Sequence, residues 1–194
     1  MQTVRIGILI GLIGACLAPT CVPAAVVEGQ TVEEAIRLGS SELILNGAGV
    51  RAVLIFKGYV AALYLTEKST TRSAVAQAIG SKRLQLRMLR RASAQDFLDA
   101  LVPGMHQNVD TKELPRLRER ITQMERIISG IGITEAGDVI DFDFSPRVGT
   151  TVAVNGVRKG AAIVGADFYD AVLGIFVGAY PVDERLKRGL LGLP

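Results

Sequence analysis

Tryptophan is absent from this 194-residue chain, histidine occurs once, cysteine twice, and aromatic residues make up only 5%. So few rings offer no stacking platform for nucleic-acid bases, and no nucleic-acid partner is expected. One histidine and two cysteines cannot build a His/Cys metal cage within the chain, and no metal or other cofactor is expected. There is no phosphate loop and no nucleophile elbow. Charge is nearly balanced: 22 Lys and Arg against 19 Asp and Glu. A formal net charge of +3 does not imply a polyanionic partner. What is present is apolar. Hydrophobic residues reach 49% and charged residues only 21%, which excludes a disordered chain. The length suits one domain.

The first 25 residues read as a signal peptide. Arg5 is the only charge before Glu28, and Ile6–Ala15 form a short apolar core. That core is shorter than the ~20 residues a membrane-spanning helix needs. Val22-Pro23-Ala24 then supplies small residues for cleavage after Ala24 or Ala25. Ile13-Gly14-Ala15-Cys16 resembles a lipobox, which would make Cys16 a lipidated first residue. The better-formed site downstream favours a soluble periplasmic or secreted product with no stable membrane span. Cleavage after Ala24 removes both cysteines and leaves 170 residues, 21 basic and 19 acidic. Such a product has no disulfide and depends on a packed core.

Residues 26–194 read as one domain. Two or three strands are expected over 41–66, where Gly47 and Gly49 mark a bulge or a close backbone approach. Thr71–Ile79 reads as a short helix ended by Gly80. Leu84, Leu86 and Met88 alternate with polar partners in a half-buried strand. Ser93 and Asp96 open a helix that Pro103-Gly104 is expected to end. Asp110–Glu113 is a second cap signal, ahead of an amphipathic helix carrying Leu117, Ile121, Met124 and Ile128 on one face. Asn155-Gly156 marks a hairpin. Helices then follow over Ala166–Val177 and from Pro181, with Val182, Leu186 and Leu190 on one side. The order predicts an α+β fold with a mainly antiparallel sheet.

No catalytic residue stands out. His106 lacks partners and reads as structural or solvent-facing. Asp141 and Asp143 alternate with Ile140, Phe142 and Phe144, as a solvent-facing row does. Arg87, Arg90 and Arg91 read as a solvated sheet edge. Arg51 differs, because it interrupts the apolar stretch 49–56. Facing inward, its guanidinium needs a carboxylate or a ligand oxygen. Facing outward, it needs nothing. Periodicity leaves both orientations open.

Three ordered stretches resemble the chalcone isomerase-like family: Leu45-Asn46-Gly47-Ala48-Gly49-Val50-Arg51, then Tyr59–Leu65, then the run from Val154-Asn155-Gly156 to Leu190-Leu191-Gly192. The resemblance spans roughly residues 28–192. It implies an open-faced sandwich: a large antiparallel sheet, a layer of helices on one face, and a ligand cleft between them. In the family's plant enzymes an arginine guides ring closure of a chalcone, and Arg51 falls on that position. The four further polar positions hold Tyr59, Phe97, Gly104 and Ile175 here. Phe97 cannot hold a water on the enone carbonyl, and Ile175 cannot hydrogen-bond a hydroxyl. The non-catalytic relatives bind fatty acids, whose carboxylate is held by the same arginine and a neighbouring tyrosine. The resemblance therefore implies a fatty acid, or a similar amphipathic carboxylate, anchored by Arg51 and Tyr59. Phe97 and Ile175 would line the cavity with Leu101, Phe168 and Val172. Tyr59, Phe97 and Ile175 also fit ordinary core positions. An enone isomerase, and a cell-envelope interaction protein with a filled cleft, are the alternatives.

Overall fold

The computed structural model describes residues 24–53 and 56–194. The expected signal peptide lies outside the described residues except for Ala24 and Ala25. Strands β1 (Ala24–Val27) and β2 (Gln30–Glu33) form a hairpin. After β3 (Ala35–Leu38) come two long strands, β4 (Ser41–Val53) and β5 (Phe56–Leu65). Helix α1 (Arg72–Gln77), capped by the Thr71 hydroxyl, leads into β6 (Lys82–Met88). A two-residue β7 (Ala92–Ser93) precedes helices α2 (Ala94–Asn108) and α3 (Leu114–Ser129). Short β8 (Ile133–Thr134) is followed by the meander β9 (Val139–Ser145), β10 (Gly149–Val154) and β11 (Val157–Ile163). Helices α4 (Ala166–Val177) and α5 (Glu184–Leu190) complete the fold.

The main sheet has seven antiparallel strands in the order β11-β10-β9-β6-β5-β4-β3. Alternation along each strand separates two cores. Tyr59, Ala61, Leu63 and Leu65 join Leu84, Leu86, Phe142 and the apolar sides of α2–α5. Val60, Ala62 and Tyr64 face the other way, beneath the β1–β2 hairpin and Val32. The fold is the expected α+β open-faced sandwich. The β10–β11 hairpin turns at Asn155-Gly156, both at positive φ (51° and 76°), which is the geometry that dipeptide favours.

The Asn46-Gly47-Ala48-Gly49 stretch gains its meaning from α5. Register shifts at a bulge between Leu45 and Gly47. The buried Asn46 amide donates to the carbonyls of Ser69 (2.9 Å) and Leu190 (2.7 Å) and accepts from the Ser69 N–H (2.6 Å). A Cβ on Gly47 would overlap the Gly189 carbonyl, and one on Gly49 would press on Leu186 at 3.2 Å. Bulge and close approach therefore occur together: the glycines let α5 lie directly on β4.

Several local expectations are corrected. Pro103-Gly104 does not end α2, which continues to Asn108. Pro103 is exposed, so the carbonyl it leaves without an intrahelical donor faces water. Gly104 lies against Ile175, where a Cβ would sit 3.0 Å from the side chain, so α2 and α4 pack closely. Pro181 does not start α5. Asp183 caps it instead, accepting from Arg185 N (2.8 Å) and Leu186 N (3.0 Å), and Val182 precedes the helix. Asp110 shapes a turn by accepting from Lys112 N, and α3 starts at Leu114 without a side-chain cap.

Asp141 and Asp143 are not a solvent row, being only 6% and 9% exposed. Asp143 takes both arms of Arg83 (2.6 and 2.7 Å), and Asp141 accepts from Gln85 (2.8 Å). Burial pushes the Asp141 carboxyl up, against the pull of Arg83. Arg87 is likewise inside the sheet, on β6 between β5 and β9.

Gly47→Ala is expected to destabilise the protein by about 1–3 kcal/mol, the usual cost of forced overpacking. An unchanged midpoint in chemical denaturation would contradict the close β4–α5 contact.

Candidate functional site

Beyond the bulge, Gly47, Gly49 and Arg51 share the helix-facing side of β4. The two glycines lie under α5. Arg51 comes where that helix gives way to its cap, with the Ala52 N–H directed at the Asp183 carboxylate (3.4 Å). Arg51 is thus the first side chain on this face of β4 with open space before it.

It faces Tyr59 across the β4–β5 ladder, and its guanidinium carbon lies 5.9 Å from the Tyr59 ring centre. Both side chains line one cavity of about 290 Å³ between sheet and helices. The sheet contributes Leu86, Met88 and Phe142. Helix α2 contributes Phe97, Ala100 and Leu101, and α4 contributes Val172, Ile175 and Phe176. Val182, from the α4–α5 connection, is also in the wall. Arg90, Arg91 and Asp96 lie along the same cavity beside the exposed 90–96 segment.

The electrostatics are one-sided. The Arg51 Nε is fully shielded and has no hydrogen-bond partner among the described residues. A shielded donor left unpaired costs about 1–3 kcal/mol, so an acceptor entering the cavity would relieve it. Burial pushes the Tyr59 phenol well above its ordinary range, Arg51 pulls it down in part, and Asp183 adds to the rise. Tyr59 therefore stays a neutral hydroxyl. Asp96 is already engaged: it accepts from the Ser93 N–H (2.7 Å) and hydroxyl (2.8 Å), which hold its carboxyl low. It closes the α2 capping box and is not poised as an acid.

Arg51, Tyr59, Phe97 and Ile175, the four residues singled out in the sequence, are brought together in this cavity, with Leu101 and Val172. Phe168 is not in its wall. It is a fully buried core residue with the Arg120 guanidinium over its ring. Arg90 and Arg91 are not sheet-edge residues but border the cavity. The sequence does not single out Phe142, Leu86 and Met88, because alternation assigns them a face without showing how deep the cavity runs. His106 is exposed near the end of α2.

Sheet, helical layer and a cation-headed apolar cavity between them define an α+β open-faced sandwich with an internal cleft. The chain belongs to the chalcone isomerase-like family, whose model matches residues 24–192. No curated protein matches the sequence. Among solved structures, the chain is similar to a fatty-acid binding protein of Arabidopsis thaliana, at 13% identity and a TM-score of 0.65. The match covers 87% of this chain and 96% of that one. At this identity the likeness shows the fold.

The raised Tyr59 phenol carries a pH consequence. A tyrosine ionises near pH 10 in the unfolded chain, so its contribution to stability is complete below that pH and is lost as pH rises above it. Tyr59→Phe is expected to make the alkaline loss of stability shallower in denaturant melts between about pH 9 and 11.5. Tyr64, pushed up to about 12 by its own burial, keeps part of the slope. An unchanged slope would contradict a buried, neutral Tyr59.

Proposed function

We propose that this protein binds a fatty acid, or a similar amphipathic carboxylate, without turning it over. Arg51 anchors the head group, Tyr59 assists, and Phe97 and Ile175 line the tail region. The observation that carries this reading is the shielded, unpartnered Arg51 Nε beside a cavity whose sheet and helix walls are mostly apolar. A guanidinium presents a planar fork that matches a carboxylate, and a neutral phenol adds one further donor. The apolar walls suit an acyl chain, because burying each methylene contributes about 0.8 kcal/mol. The fatty-acid binding activity named for the Arabidopsis structure of the same fold agrees with it.

A chemical step on an enone would need more than a positive charge. Proton transfer requires a group within reach and with a suitable pKa. Phe97 and Ile175 offer no polar atom, and Gly104 lies behind Ile175. The reading therefore places Arg51 as a binding group. The N-terminal pattern supports export: a single charge, a short apolar core and small residues at 22–25. We propose a periplasmic or secreted location on that ground.

Native mass spectrometry after gentle purification tests the binding reading. The protein is expected to carry an acyl carboxylate, and Arg51→Ala is expected to lose it, with affinity for added fatty acid reduced at least tenfold. Equal ligand load in the two proteins would contradict the assignment. The same preparation is expected to consume chalcone no faster than buffer does, measured by absorbance, and a faster rate would favour the isomerase.

A further inference from the structure

The register of the sheet measures the cavity along its length. Tyr59 and Met88 are paired neighbours at its charged end. Leu63 pairs with Leu84, and Leu84 with Phe142. Phe142 thus stands four residues along the strand direction from Tyr59, about 13 Å at ~3.3 Å per residue, and two strands across, about 10 Å at ~4.8 Å per strand, so about 16 Å away. That is roughly the extended length of a twelve-carbon chain.

The far end is firmly built. Phe142 is on β9, between β6 and β10, and is 3% exposed. The Tyr169 hydroxyl of α4 donates to the Phe142 carbonyl (3.0 Å), which ties strand and helix together there. Leu101 of α2 and Val172 of α4, both buried, line the same cavity. The cavity opens instead beside Arg90, Arg91 and Asp96, three exposed residues near the head-group end.

We infer that the site selects short acyl carboxylates of about eight to twelve carbons, with Phe142 setting the upper limit. The inference rests on the head-group reading above and adds a length ceiling to it. A long chain anchored at Arg51 would have to double back or displace a tied strand–helix junction. A shorter chain would leave the far end unfilled.

The test is a series of saturated fatty acids from six to eighteen carbons, titrated below their micelle concentrations into the full-length protein. Affinity is expected to rise about fourfold per methylene, peak at ten to twelve carbons, and fall at least tenfold by sixteen. A rise that continues to sixteen carbons overturns the ceiling and leaves the head-group reading standing. No binding at any length overturns both. Phe142→Leu, which keeps the core apolar, is expected to move the peak to longer chains by about two carbons. If that variant does not fold, Phe142→Ile gives the same readout. An unmoved peak overturns the assignment of the limiting wall.

Discussion

A guanidinium set against an apolar wall is the constraint around which this molecule is organised. A shielded donor is costly without an acceptor, and the Nε of the half-buried Arg51 has none among the described residues. The surrounding fold holds it there. Tyr59 lies across the ladder and Asp183 caps the helix that stops just short of it. An acceptor oxygen arriving in the cavity would satisfy a donor that the protein itself leaves open.

The path from sequence to site runs through two glycines. Gly47 and Gly49 remove the side chains that would hold α5 away from β4, and Asn46 ties that strand to the last turn of the helix. With α5 seated, Arg51 on the same face lies just past its start, where the layer opens into the cavity. The other side of the sheet carries its charges differently. Arg83, Gln85, Asp141 and Asp143 bond one another across β6 and β9, although the Gln85 Oε1 and the nearby Arg87 Nε are shielded without a partner among the described residues. What sets Arg51 apart is the cavity that it lines, and not its unpaired Nε alone.

Much of this is legible in the sequence. The Asn155-Gly156 hairpin, the Ser93–Asp96 cap and the amphipathic α3 depend on near neighbours in the chain. Their residue types report them directly. The α+β architecture follows from the order of such elements together with the family motifs. The cavity roles of Arg51, Tyr59, Phe97 and Ile175 come from the family resemblance, because periodicity leaves the direction of Arg51 open. What short-range pattern misses depends on distant partners. Asp141 and Asp143 look solvent-facing by alternation, yet their cations lie on β6, far away in sequence. Pro103 looks like a helix end, yet the packing of Gly104 on Ile175 carries α2 past it. Phe168 looks like a cavity residue, yet it is buried in the core under Arg120. Phe142 shows its face by alternation, but only the strand register shows its depth.

The most direct measurement is of the Arg51 Nε–H itself. In a protein labelled with ¹⁵N, its resonance can be assigned by its loss in Arg51→Lys and followed while decanoate is added. The account predicts a large, saturable shift with slowed solvent exchange, as the donor gains a carboxylate partner. A resonance that stays in place while decanoate binds would contradict the central role given to Arg51, and one that stays in place because nothing binds would contradict the whole reading.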